Sequence, residues 1–194
     1  MGLDTSTVAM LVAQVDTPGV AAHAEADLLL SLCERAGAVE TFRAEDEEQS
    51  EMLLGARRMA ILAIEALGDW LLDDISVPRS ALATAMTRIQ DIAAANDVTI
   101  CTFGHAGDGN LHPTIITPRG DHAAAARALT AFEQMLYLAL ELGGTVTGEH
   151  GVGLLKEVAL GMELDEVAKD LHTRIKRAWD PEGILNPGKS LPRW

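Results

Sequence analysis

The spacing of apolar residues along the chain predicts a mixture of strands and helices. Apolar runs rich in β-branched residues and bounded by turn residues indicate strands, whereas apolar residues that recur every three or four positions indicate helices. Strands are predicted over residues 8–15, 39–43, 70–77, 98–103, 111–117 and 145–147. Helices are predicted over residues 20–35, 45–66, 80–96, 121–142 and 164–179, with Ser80 as an N-cap.

The order of these elements predicts the fold. From residue 70 to residue 148 the order is strand, helix, strand, strand, helix, strand, as in the ferredoxin-like split β-α-β arrangement. Residues 8–43 provide only strand, helix, strand, which is half of a second such unit with its first strand at an exposed edge. We therefore predict an α+β fold of duplicated ferredoxin-like units, in which helices cover an antiparallel sheet. Residues 1–66 would form an incomplete first half, and residues 67–194 the second half with a C-terminal helix and loop.

Composition and charge narrow the classes of partner. A chain of 194 residues that is 48% hydrophobic can bury a substantial core. Its net charge of −14 would repel nucleic acid and anionic lipid surfaces. The start of the chain has no basic segment or cleavage site, and no apolar run is long enough to span a bilayer. We predict a cytoplasmic protein in which Cys33 and Cys101 are isolated, buried thiols.

The segment FGHAGDGNLH, residues 103–112, concentrates candidate chemistry in ten positions. His105 and His112 are an odd number of positions apart, so on a straight strand their side chains would point to opposite faces. They can meet only if the backbone turns between them, and the glycines of this segment allow such a turn. The spacing therefore predicts a hairpin bend whose flanks carry the two histidines.

A second glycine-rich segment, GGTVTGEHGVG at residues 143–153, contains Glu149 and His150. One carboxylate and three imidazoles on two such turns are a suitable donor set for a divalent metal, and two histidines with one glutamate would leave coordination positions open for substrate. The alternative is that these residues only form hydrogen bonds within their turns. The spacing alone leaves both interpretations open.

A third polar segment, DPEGILNPGK at residues 180–189, is typical of turns. FGHAGDGNLHP, GGTVTGEHGVG and DPEGILNPGK, in this order, resemble the C-terminal domain of FAD-linked oxidases of the vanillyl-alcohol oxidase superfamily. Within it they resemble the group of the glycolate oxidase D-subunit, D-lactate dehydrogenase and D-2-hydroxyglutarate dehydrogenase. The resemblance extends back through residues 57–80 to LVAQVD and covers essentially the whole chain.

The resemblance implies a metal centre and an acid/base residue. It makes His105, His112 and Glu149 the ligands of a divalent metal such as zinc, manganese or iron, with His150 beside them. The metal would hold the hydroxyl and carboxylate oxygens of a 2-hydroxy acid, and His150 would take the hydroxyl proton while hydride leaves for FAD.

The resemblance also implies contacts with substrate and flavin. Arg57 falls where the family places an arginine for the substrate carboxylate, and Asn110 and Asn186 match asparagines that face the flavin and the substrate. Each has a simpler alternative: Arg57 and Arg58 would be exposed charges on a helix, and Asn110 a left-handed turn residue.

The chain contains no GxGxxG motif or comparable phosphate cradle. FAD is therefore expected to be bound mainly by an FAD-binding domain or subunit absent from this sequence, and the chain to be inactive alone. It would be a fragment, a truncated product or a subunit completed by another chain, and a homo-oligomer is left open. Two other functions stay open: a metal-dependent hydrolase or lyase without flavin, and a noncatalytic scaffold subunit.

Overall fold

The regular elements described in the first of two compact units are helices. The computed structural model describes residues 9–189, except the side chain of Ala56, and divides between Ala63 and Ile64. Helices α1 (Val20–Arg35) and α2 (Glu47–Arg58) lie in the first unit, and α3 (Ala60–Leu67) crosses the boundary. The single helix predicted over 45–66 is thus two helices, because the ψ of −9° at Met59 departs from helical geometry.

The two strand predictions in the first unit are wrong over the residues that the structure describes. Residues 9–15 and 39–43 have no regular structure, and Val8 lies outside the described residues. Side chains of the second segment bind α1 instead: the Thr41 hydroxyl donates to Glu34 at 3.3 Å, and Arg43 forms an ion pair with Asp27. A strand without a neighbouring strand has little stability in water. The duplication of the ferredoxin-like unit therefore stays a prediction.

The second unit contains an open antiparallel sheet, which confirms the α+β class. Its central strand is β4 (Asn110–Thr117), which pairs on one edge with β3 (Thr99–His105). Its other edge pairs with β1 (Asp69–Leu72) and then with β2 (Ile75–Ser76). One antiparallel bridge between Ser76 and Thr145 extends the sheet beyond β2. The predicted strand 145–147 is therefore reduced to this bridge.

Two helices cover one face of this sheet and enclose the core. They are α4 (Leu82–Ala95) and α5 (His122–Glu141), which begins at the N-cap Asp121. Their fully buried side chains pack with sheet residues, and the core includes Ile75, Ile89, Ile115, Phe132 and Met135. Since side chains alternate along a strand, His112 points to the face of β4 opposite Ile115. The histidine therefore lies on the sheet face that α4 and α5 do not cover.

Three further details differ from the predictions. The strand predicted over 70–77 is interrupted at Asp73 and Asp74. A 3₁₀ turn over Arg79–Ala81 precedes α4, so Ser80 lies within that turn and makes no N-cap hydrogen bond. The unpredicted helix α6 (Glu157–Glu163) precedes α7 (Glu166–Trp179).

Within residues 9–189, none of the helices combines the length and apolarity that a membrane span requires.

Candidate functional site

The predicted hairpin is present and brings the two histidines together. His105 ends β3 and pairs with Asn110 at the start of β4. The turn is closed by the backbone N–H of Asp108 and of Gly109, which both donate to the His105 carbonyl, at 3.0 and 3.1 Å. The rings of His105 and His112 meet edge to face, with centroids 5.5 Å apart. The reversal of the chain thus compensates for the odd spacing of the two histidines.

Glu149 completes a group of three donors. Its Oε1 lies 3.0 Å from the Nε2 of His112 and 3.5 Å from the Nε2 of His105. One donor atom from each of the three residues lies within 4.8 Å of the others. The side chain of His112 is only 5% exposed, whereas those of His105 and Glu149 are 38% and 49% exposed. The group therefore has one buried anchor and two ligands that a solute can reach.

His150 lies beside this group. Its ring stacks on that of His112, with centroids 4.8 Å apart and an interplanar angle of 13°. Its Nε2 is 3.8 Å from Glu149 Oε1, and its side chain is partly exposed. Burial lowers the pKa of His112, and the neighbouring His150 acts in the same direction, so His112 is neutral at neutral pH. A neutral imidazole is the form that ligates metals.

Asp74 organises the loop that carries Glu149 and His150, and sequence reasoning missed it. Its Oδ2 accepts hydrogen bonds from the Thr147 hydroxyl and from the backbone N–H groups of residues 148–150, at 2.8–3.0 Å. Burial acts to raise the pKa of Asp74, but the N–H groups of His150 and Glu149 outweigh it with the help of Thr147. The pKa falls to about 2. Asp74 is therefore a carboxylate at neutral pH.

Asp73 and Lys156 form a second feature that sequence reasoning missed. Lys156 Nζ lies 2.9 Å from Asp73 Oδ1 and also donates to the backbone carbonyl of Asp74. Burial raises the pKa of Asp73, an effect that Lys156 opposes. The sequence feature that could have revealed this pair is the two adjacent aspartates inside the apolar segment DWLLDDISVP. Carboxylates are seldom buried without a partner, so this pattern predicts a buried ion pair or hydrogen bonds.

The three remaining predicted residues are not part of the histidine cluster. Asn110 is buried, its Oδ1 has no hydrogen-bond partner among the described residues, and a Cβ on Gly148 would lie 2.6 Å from its side-chain atoms. Asn186 is exposed in the C-terminal turns, with a φ of 46°. Arg57 is exposed on α2 in the first unit. The roles predicted for these three residues stay predictions.

The donor set fits a divalent metal. Imidazole nitrogens with one carboxylate oxygen suit zinc, manganese or iron, and a trio leaves positions for a further ligand. Two buried atoms beside the trio, His112 Nδ1 and Asp74 Oδ1, have no hydrogen-bond partner among the described residues and lie 3.7 Å apart. Such a pair is typical of the surroundings of a metal-binding histidine. Asp74, His112 and His150 also form a second group of convergent donors.

Comparison with known proteins places the chain in a family. Residues 1–190 match the family described as FAD linked oxidases, C-terminal domain. The glycolate oxidase subunit GlcD of Bacillus subtilis (strain 168) is 43% identical over 194 residues, which are 100% of this chain and 41% of that protein. The subunit of the same name from Escherichia coli (strain K12) is 34% identical over 169 residues, 86% of this chain and 33% of that protein.

The third relative carries a different name. The mitochondrial D-lactate dehydrogenase (cytochrome) of Arabidopsis thaliana is 35% identical over 152 residues, 77% of this chain and 27% of that protein. The chain thus spans about two fifths or less of the length of these three relatives. Because the family match covers almost all of its residues, the chain belongs to the C-terminal domain family of FAD-linked oxidases.

Proposed function

We propose that this chain is the substrate- and metal-binding domain of a flavin-dependent oxidoreductase that oxidises a D-2-hydroxy acid of the glycolate or D-lactate type. The observation that carries the proposal is the convergence of donor atoms from His105, His112 and Glu149 within 4.8 Å. Family membership supports the flavin, and the names of the relatives, glycolate oxidase and D-lactate dehydrogenase, support the substrate class. The sequence contains no GxGxxG motif for the FAD pyrophosphate, and we propose that an FAD-binding domain or subunit completes the enzyme.

His105, His112 and Glu149 would hold the metal. A divalent ion, when bound, lowers the pKa of a coordinated hydroxyl and fixes the orientation of the substrate. Two of the three side chains are partly exposed, which gives a small hydroxy acid access to the trio. The buried His112 would keep the position of the site constant.

His150 would act as the acid/base residue. Its Nε2 lies near Glu149 and its side chain is partly exposed, so it can meet a substrate at the edge of the trio. A neutral imidazole has a ring nitrogen with a free lone pair, so it can accept the hydroxyl proton at Nε2. Its stacking on His112 holds the ring in place. FAD would receive the hydride.

Arg57 would bind the substrate carboxylate. Two neighbouring arginines are candidates for this role, and the ion pairs of the structure favour one of them. Arg58 forms an ion pair with Glu51 at 2.9 Å, whereas Arg57 has no ion pair among the described residues. A guanidinium can bind a carboxylate through two parallel hydrogen bonds, so Arg57 is the better candidate.

Metal binding by the purified chain tests the proposal. The wild-type chain, stripped with a chelator, should bind one equivalent of Zn²⁺ or Mn²⁺ in calorimetric titration. H112A and E149A should each lose that binding, while H122A should retain it because His122 is exposed at the start of α5. Absence of stoichiometric binding in the wild type, or its survival in both trio variants, would contradict the proposal.

A further inference from the structure

The two carboxylate oxygens of Asp74 face different parts of the site. Oδ2 accepts four hydrogen bonds from residues 147–150. Oδ1 is buried, accepts no hydrogen bond from residues 9–189, and lies 3.7 Å from the Nδ1 of His112. That nitrogen is also buried and has no hydrogen-bond partner among the described residues. Because unpaired buried polar atoms are costly, two that face each other indicate an interaction with a role in the site.

We propose that Asp74 is a positioning residue for His112, which it holds in the tautomer that carries its proton on Nδ1 and leaves the Nε2 lone pair toward Glu149. This inference rests on the proposed function, since it assigns Nε2 to the metal. A metal binds only a ring nitrogen without a proton, so the proton must lie on the other nitrogen. Metal-binding histidines almost always donate that remaining N–H to a carboxylate, a carbonyl or water.

Asp74 is held rigidly enough for this role. Its Oδ2 is fixed by the loop, its backbone N–H donates to Asp73 Oδ1 at 2.7 Å, and its carbonyl accepts from Lys156. Its position therefore does not depend on His112. One carboxylate thus connects the buried ligand on β4 with the loop that carries Glu149 and His150.

Glu149 is the competing acceptor for the His112 proton. Its Oε1 lies 3.0 Å from Nε2, closer than Asp74 Oδ1 lies to Nδ1. Removal of the Glu149 carboxylate leaves Asp74 as the carboxylate that faces the His112 ring among the described residues. The variant E149A therefore isolates the interaction with Asp74, and it does so without any metal.

The first experiment reads the His112 tautomer from ¹⁵N chemical shifts of the chain in the presence of a chelator. E149A should show the proton on Nδ1. In E149A/D74N the asparagine can keep its carbonyl toward the loop and turn its NH₂ toward Nδ1, which should move the proton to Nε2. E149A/D170N makes the same change at an exposed carboxylate on α7, so its tautomer should match that of E149A. A proton on Nε2 in E149A, or the same tautomer in E149A and E149A/D74N, would overturn the inference.

The second experiment measures Zn²⁺ affinity. D74N should raise the Kd about 10- to 100-fold, which is typical when the outer partner of a ligating histidine is lost. D170N, the same substitution at an exposed carboxylate on α7, should stay close to the wild type, and circular dichroism should show the same helix content in all three proteins. Equal Zn²⁺ affinity in D74N and the wild type would overturn the inference while leaving the metal proposal intact.

The two proposals fail separately. If the wild type does not bind Zn²⁺, the metal proposal fails and the tautomer of E149A alone decides the role of Asp74. If D74N does not fold, E149A still decides it, because Asp74 is unchanged in that variant.

Discussion

Lys156 forms a buried ion pair with Asp73, with 2.9 Å between Nζ and Oδ1. The exposed fractions of the two side chains are 7% and 0%. Lys156 also donates to the carbonyl of Asp74, 82 residues earlier in the chain. These contacts lie where β1 gives way to β2, so the lysine stabilises the strand interruption that lets Asp74 face the loop of Glu149.

K156M should destabilise the fold by about 3–5 kcal/mol, because it leaves the buried Asp73 carboxylate without its partner. The free energy of urea unfolding at neutral pH measures the effect. R174M breaks an exposed pair with Asp170, whose side chains are 67% and 61% exposed, and should change stability by about 1 kcal/mol or less. D73N/K156M should recover part of the loss. Equal stability of K156M and the wild type would show that the pair contributes nothing.

The turn between the two histidines gives a second prediction. Gly109 has a φ of 78°, and a Cβ at this position would lie 2.1 Å from the Val77 carbonyl oxygen. G109A should therefore cost about 2–4 kcal/mol, from the left-handed backbone and the displaced strand. Gly107 lies in the same turn but has open space around it, so G107A should stay within about 0.5 kcal/mol of the wild type. Thermal unfolding of both variants tests this, and equal effects would contradict it.

Local geometry explains why part of the site could be predicted from sequence. The alternation of side chains between the two faces of a strand and the position of glycines are local properties. They were sufficient to predict a bend that brings His105 and His112 together. Helix α1 was predicted over its observed bounds for the same reason, since its apolar spacing and the following Gly37 lie within one segment. The choice of His105, His112 and Glu149 as predicted metal ligands, in contrast, came from the family resemblance, because spacing alone left simple turn residues as an alternative.

Long-range pairing explains what the sequence did not predict. Asp73 and Asp74 were predicted to lie within a continuous strand. The contacts that interrupt this strand come from a distant loop and from Lys156, and the local sequence does not reveal them. The segments 9–15 and 39–43 have strand-like composition, but a strand is stabilised by its neighbour, and composition does not supply one. Val39 and Phe42 are instead exposed.

The proposed acid/base role of His150 gives a third prediction. H150N should lower kcat by about 10²–10⁴, because the amide cannot accept a proton, whereas metal content should be retained because His150 lies outside the trio. The measurement is the loss of oxidised-flavin absorbance when D-lactate or glycolate is added to the enzyme assembled with its FAD-binding domain. H122N, at an exposed position, is the matched control. Normal turnover in H150N would exclude the role.

A hydrogen-bond network around the Asp180 carboxylate stabilises the C-terminal turns. Its carboxylate accepts from Lys176 Nζ at 2.6 Å and from the backbone N–H groups of Ile184 and Leu185, at 2.9 and 3.0 Å. The hydrogen bond from Lys176 lowers the pKa of Asp180 below its ordinary value of 3.8 and, with the two N–H groups, outweighs burial. These contacts fix the loop on which Asn186 lies.

This depressed pKa predicts how stability depends on pH. The Asp180 carboxylate binds a proton less readily in the folded than in the unfolded chain, so it stabilises the fold above the unfolded pKa. That contribution is lost as pH falls through the folded pKa. The wild type should therefore lose more stability than D180N between about pH 5 and pH 2, and the two Tm values should converge at the acid end. D170N, which removes an exposed carboxylate paired with Arg174, should follow the wild type. Parallel curves of Tm against pH for the wild type and D180N would contradict this prediction. They would mean that Asp180 has the same pKa in the folded and the unfolded chain.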